Sequence, residues 1–239
     1  MKAPQLAFTK LILTWWTDPV SFRHRNLGCK RIRGRDEMSW IQTIPFEKAT
    51  GRLRKLYERV TGPDNNVDNI MMAHSLRPHS MEGHMALYKN VLHHSGNQVP
   101  KWFLEVLGVW VSSLNRCAYC VEHHFSGLQR LLTDPPRGTA IRAAIEAGKP
   151  HEAPLDAAQI AAMGYARKLT ETPDQLVEAD IEALRAAGWS DGEILEINQV
   201  CAYFAYANRT VLGLGCSTDG DILGLSPNNS DNPKDWGHR

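Results

Sequence analysis

Between Leu53 and Leu214 the apolar residues recur at three- and four-residue spacing, in blocks separated by proline, glycine and Asn/Asp turns; this period restricts the fold more than any other feature. Leu53, Leu56, Tyr57 and Val60 make a first helix, stopped by Gly62-Pro63-Asp64. A short apolar turn from Ile70 to Met72 leads to Pro78, which can open a long helix lined by Met81, Met85, Tyr88, Val91 and Leu92 and closed by Gly96. Pro100 opens the next, with Phe103, Leu107, Trp110, Val111 and Leu114 apolar and Glu105 among them. Asn115-Arg116 turns the chain, and a further helix runs to about Leu132, where Asp134-Pro135-Pro136 breaks it. Shorter helices are expected from Ala140 to Ala147, Leu155 to Leu169 and Gln175 to Ala187. Ser190 with Glu193 forms a capping-box signature ahead of a helix from Ile194 to about Leu214. That helix is apolar on more than one side, which suits a core or a subunit interface. No internal repeat, Gly-rich phosphate loop or period-2 strand series interrupts the pattern, so the expected fold class is all-α.

The two ends differ from this middle. Residues 1–37 follow an apolar stretch with Arg23, Arg25, Lys30, Arg31, Arg33 and Arg35, the reverse of the charge order in a secretory leader. They are expected to be a disordered leader or an over-long start, with Met38 as the functional first residue. Residues 217–239 are rich in Asn, Asp, Ser, Gly and Pro and are expected to be a disordered tail, leaving 38–216 as the helical domain. The net charge of +1 gives no argument for a nucleic-acid partner. No apolar run reaches the roughly 18 to 20 residues that a membrane span requires, so no membrane partner is expected. The five cysteines are odd in number and widely spaced, which does not describe a secreted disulfide framework. A cytoplasmic setting is expected, where an isolated Cys-x-x-Cys is catalytic or metal-binding.

The candidate chemistry is concentrated in Cys117-Ala-Tyr-Cys120-Val-Glu-His-His124. On a helix, residues three and four apart are neighbours, so Cys117 lies beside Cys120 and Cys120 beside His124. A dithiol works when one thiolate attacks and the second thiol closes the bridge. A free cysteine titrates at roughly 8.5, so the attacker must be ionised by its surroundings. The helix N-terminus favours an anion at Cys117, and His124 can take a proton from or pair with Cys120. Glu105, across the helical hairpin, could hold the other imidazole nitrogen. Its plain alternative is a solvated position on an amphipathic helix.

Eleven residues separate Glu105 from Cys117, two separate the cysteines, and three separate Cys120 from His124. This spacing resembles the signature of the alkyl hydroperoxidase D-like (AhpD-like) proteins of the carboxymuconolactone decarboxylase superfamily. The run from Trp40 to Gly215 is similar to the branch named peroxidase-related enzymes, through Asn69-Ile-Met, His74 to His79, Gly83 to Tyr88, His93 to Gly96, Cys117 to His124 and Asn208-Arg209. The resemblance implies an AhpD-like helical fold whose hairpin carries the CxxC, assembled as a homo-oligomer (trimer or hexamer), with the CxxC at the base of a mostly apolar pocket. It implies that Cys120 attacks a small-molecule hydroperoxide, that Cys117 resolves it, and that Glu105 and His124 relay protons. The redox-active disulfide Cys117–Cys120 then takes the place of a cofactor, and a protein thiol or lipoyl reductant restores it. Better-studied relatives carry histidine where this chain has Tyr119, so the relay has one member fewer. Tyr119 either donates a hydrogen bond or packs against the hairpin partner.

Two rivals share these residues. Cys117, Cys120 and His123 or His124 offer three zinc ligands, with a fourth from His74, His79, His84, His93 or His94, which would make a zinc-stabilised binding protein. No second CxxC supports that, and no metal is expected. The other is a non-redox enzyme like the superfamily's decarboxylases, which do not rely on the cysteine pair. Val121 excludes a c-type haem attachment, which requires histidine after the second cysteine. One or two of the upstream histidines are expected to line the pocket without a catalytic part. Cys201 and Cys216 are read as packed thiols, and Asn208-Arg209 as reaching an interface, the pocket or a salt bridge.

Overall fold

The computed structural model describes residues 38–61 and 66–224, and among these every regular element is helical. The expected leader, 1–37, lies outside the described residues. In chain order the helices are α1 (Gly51–Val60), α2 (Asn69–Ala73), α3 (Pro78–Tyr88), α4 (Lys101–Leu114), α5 (Ala118–Leu132), α6 (Pro135–Glu146), α7 (Ala157–Glu171), α8 (Glu178–Ala186) and α9 (Asp191–Leu214). No helix of the described residues is long and apolar enough to cross a membrane.

Helix α4 is the axis of the molecule. Every residue from Phe103 to Ser112 is buried, with α5, α7 and α9 packed around it. A helix enclosed in this way cannot be amphipathic in the usual sense, and its sequence is apolar all round except at Glu105 and Ser112. Its aliphatic and aromatic side chains each contribute roughly 1.5–3 kcal/mol by leaving water. The polar edge of Trp110 is satisfied by donation to the Met163 carbonyl of α7 at 2.9 Å. Contact with α9 is closest at Gly108, where a Cβ would fall 2.3 Å from the Phe204 ring. Helix α9 starts at the expected box: Ser190 Oγ accepts from the Glu193 amide, and the Glu193 carboxylate accepts from the Ser190 amide at 2.9 Å.

The chain departs from its sequence pattern in two places. Helix α6 begins at Pro135, five residues before the expected Ala140, because proline in a first turn gives up only an amide that has no partner there. Asp134 caps it by accepting from the Arg137 amide at 3.1 Å. Helix α3 passes into a π turn over Lys89–His93 and ends at His94, before Gly96. Such widened turns re-aim side chains and recur at functional sites. Here the turn brings Tyr88 and His93 edge to face, with ring centroids 4.8 Å apart.

Residues 217–224, assigned by composition to a disordered tail, lie against the helical body. Gly215 ends α9 with φ +65°, and a Cβ there would meet the Trp40 ring at 2.2 Å. The Ser217 amide then donates to the Met38 carbonyl at 3.0 Å, and the Ser39 hydroxyl to the Leu214 carbonyl at 2.9 Å.

Candidate active site

Helices α4 and α5 are joined by the short turn Asn115–Cys117, in which Arg116 takes a left-handed conformation with φ +59°. The turn places Cys117 at the N-cap of α5 and Cys120 one turn in, both buried. Their sulfurs are 3.0 Å apart, within hydrogen-bond distance. That contact pulls Cys117 below the ordinary thiol range, helped by the Cys120 backbone and the Asn208 side chain, while the same contact and burial hold Cys120 well above it. Charge and access therefore favour different sulfurs: Cys117 carries the thiolate more readily, whereas Cys120 lines the cavity described below.

Glu105 is not on a solvated face. It is 1% exposed, and its Oε2 lies 2.7 Å from His124 Nδ1. A buried carboxylate needs such a partner, since the charge would otherwise be lost to the neutral acid. His93 approaches the other oxygen, with Nε2 3.9 Å from Oε1. Phe204 of α9 packs edge to face with the His124 ring at 4.5 Å between centroids, which restrains the imidazole.

A second polar group, which the sequence did not reveal, includes the cavity-lining Tyr119 and His123. Asp221, in the segment after α9, accepts from the Tyr119 hydroxyl at 2.7 Å and from the Asn69 amide at 3.0 Å, and lies 3.1 Å from His123 Nε2. The Tyr119 hydroxyl also accepts from the Ile70 amide at 3.1 Å. Its proton is thus committed to Asp221, the hydrogen-bond donation that the sequence reading held open for Tyr119. Asp68 lines the cavity beside this group. Burial pushes its carboxyl up to about 7 against the pull of His123, with the Asp221 charge adding to the rise.

The cavity measures about 50 Å³ and is lined by Glu105, Asp68, Cys120, Tyr88, Tyr203 and His84, among others. At about 10–15 Å³ per water centre this is room for roughly three to five waters or one small solute. Among the upstream histidines, His84 lines the cavity and His93 stands behind Glu105, whereas His79 is exposed. Burial drives His84 down to about 3, so it is a neutral ring at physiological pH. Asn208 is fully buried, donating to Ser112 at 3.0 Å and accepting from Asn115 at 2.9 Å, and so ties α9 to the turn that carries Cys117. Its neighbour Arg209 is exposed and donates to the Ala205 carbonyl. Cys201 is pushed up to about 12 and Cys216 to about 11, both mainly by burial, which keeps them as thiols. Cys29 lies outside the described residues. The zinc alternative finds no support in this geometry: among the described residues no three His, Cys, Asp or Glu side chains are arranged to hold a metal.

No family model matches the sequence, and no curated protein does. Solved structures do match. An uncharacterized peroxidase-related protein from Silicibacter sp. TM1040 shares 26% identity with a TM-score of 0.66, over 78% of this chain and 94% of that one. A protein described as alkylhydroperoxidase AhpD core, an uncharacterized peroxidase-related protein from Ralstonia eutropha JMP134, shares 22% identity with a TM-score of 0.67, over 77% and 93% of the two chains. The debrominase Bmp8 is also similar, at 17% identity and a TM-score of 0.58 over 77% and 92%, so the same fold hosts a different activity. By these likenesses the chain has the AhpD-like fold and resembles the peroxidase-related members of that superfamily.

Proposed function

We propose that the protein is a thiol-dependent hydroperoxidase using Cys120 and Cys117, with Glu105 and His124 as its proton relay. One observation carries this reading: two buried sulfurs 3.0 Å apart, one of them on the wall of the small cavity that the Glu105–His124 pair also lines. A disulfide needs about 2 Å between sulfurs, so closing the bridge requires a movement of only about 1 Å.

Cys120 sulfur attacks the outer oxygen of the hydroperoxide, the O–O bond breaks, and the leaving alkoxide takes up the proton that Cys120 gave to His124. The product is an alcohol and a sulfenic acid on Cys120. Cys117, whose thiol the Cys120 contact pulls below the ordinary range, then attacks that sulfur, closing the disulfide and expelling water after protonation. Glu105 orients the imidazole and stabilises its charged form. A dithiol reductant, a lipoyl-bearing or thioredoxin-like protein, returns both thiols. That cycle belongs in a reducing compartment such as the cytoplasm, in keeping with the free Cys201 and Cys216 thiols.

The assembly is a homo-oligomer in this reading, supported by Leu195, Ala202, Tyr206 and Arg209, exposed at seven-, four- and three-residue intervals along α9. Light scattering of the purified chain measures its size, and a monomer at micromolar concentration would remove that part. The central test is to mix the reduced protein with hydrogen peroxide and with organic hydroperoxides while following the Cys117–Cys120 bridge by mass spectrometry. Bridge formation stoichiometric with peroxide consumed is expected; peroxide that survives with both thiols intact sinks the proposal.

A further inference from the structure

The segment after α9 reaches the cavity at Gly224 and has no part in the chemistry above. It is bound to α2 and α5 by polar contacts along its length. Asn69 Nδ2 donates to the carbonyls of Ser217 and Asp219 at 2.8 and 3.0 Å. Asp221 joins the Asn69 amide, the Tyr119 hydroxyl and His123, and Arg130 donates to the Leu223 carbonyl at 2.9 Å. At its end Gly224 lines the cavity with φ +68°, so close to α5 that a Cβ would fall 2.5 Å from that of Ser126 and 2.8 Å from the Gly127 nitrogen. Gly127 in turn lies against the Glu105 carboxyl, where its own Cβ would sit 3.4 Å away. The segment therefore covers the turn of α5 that covers Glu105.

We propose that residues 217–224 are the size filter of the site, latched by Asp221, so that the docked segment admits hydrogen peroxide and short alkyl hydroperoxides and excludes bulky aryl ones. The substrate class rests on the thiol-peroxidase reading; the filter itself does not. Two features make the segment a gate rather than part of the core. Ile222 is 38% exposed, so what holds the segment down is chiefly hydrogen bonding, and segments held that way open at low cost. The room beneath it, about 50 Å³, is space for roughly three to five waters. Asp221 is thus a positioning residue, acting on the wall and not on the reacting atoms.

The test reads access to Cys120 without any peroxide. Reduced full-length protein and its Asp221→Ala and Asp221→Asn variants are labelled with iodoacetamide and with pyrene maleimide, and the rate at Cys120 is followed by mass spectrometry. The ratio of bulky to small labelling should rise roughly tenfold or more in Asp221→Ala, since one lost hydrogen bond to a charged group shifts an opening equilibrium by about that factor. Asp221→Asn should fall between. A changed thiolate fraction moves both reagents together and leaves the ratio alone. Should Asp221→Ala fail to fold, Gly224→Val, which lifts the segment by its own bulk and leaves Asp221 in place, is expected to raise the same ratio. An unchanged ratio in a folded variant, or equal acceleration of both reagents, overturns the filter. Cumene hydroperoxide and hydrogen peroxide consumption are then compared in the same proteins. A raised labelling ratio in protein that consumes no peroxide leaves the filter standing and removes the peroxidase reading, whereas turnover with an unmoved ratio removes the filter alone.

Discussion

The two walls of the cavity are built on opposite principles. The Glu105–His124 wall stands on α4 and α5, whose packing is the centre of the core, and its carboxylate is positioned by helices that nothing local can move. The Asp221 group joins a loop aspartate, a short helix and a tyrosine through hydrogen bonds. In the proposed function, chemistry that needs sub-ångström placement sits on the first, and the proposed control of access sits on the second. Rigid elements fix reacting groups, while loosely held segments open cheaply enough to admit a substrate.

That contrast can be broken at several points, beginning with the sulfur both walls enclose. Cys120→Ser should abolish hydroperoxide turnover, and near-normal consumption by this variant would defeat the roles given to the pair. On the first wall, Glu105→Gln or His124→Ala should slow turnover by about ten- to ten-thousand-fold, the usual range for lost acid–base help, measured as kcat/KM with hydrogen peroxide. If Asp221→Ala slowed hydrogen peroxide as much as these do, the two walls would not differ in kind.

The rigidity of the first wall can be probed from behind. Gly108→Ala drives a methyl into the Phe204 ring, which itself braces His124, and should cost about 1–3 kcal/mol in urea unfolding, as overpacking does. A neutral result would mean that α4 and α9 are free to separate.

A pH-dependent effect on stability belongs to Asp68, which lines the cavity. Its carboxyl is raised to about 7 in the fold by burial, so between about pH 4 and 7 the native chain keeps a proton that the unfolded chain has lost. Stability therefore falls as pH rises through that window and levels off above it, with a slope of at most about 1.4 kcal/mol per pH unit from this group. Asp68→Asn should flatten that stretch of the pH–stability curve. An identical slope in the variant would show that Asp68 is already ionised in the folded protein.

Much of the first wall was legible because it is local. Glu105, Cys117, Cys120 and His124 lie on two consecutive helices whose period and turn residues are written in the chain, so spacing alone sets them side by side. The helix starts at Ser190 and the turn at Asn115–Arg116 were legible for the same reason. The start of α6 was misread only because proline was taken as an end when it can equally be a beginning. The sequence pattern left Glu105 open between a solvated and a buried position, since three more helices had to close around α4 before its burial was decided.

Asp221 carried no such signal. It is separated by 98 residues from His123 and by 152 from Asn69, in a polar segment whose composition resembles that of disordered chains. The sequence by itself determined which helices form and which sulfurs and imidazole share a helical face, because those depend on contacts three or four residues apart. Only the tertiary structure decided which sulfur meets the cavity, which lies deeper, and what closes the opposite side. Those outcomes depend on elements far apart in the chain that become neighbours only when the core condenses around α4.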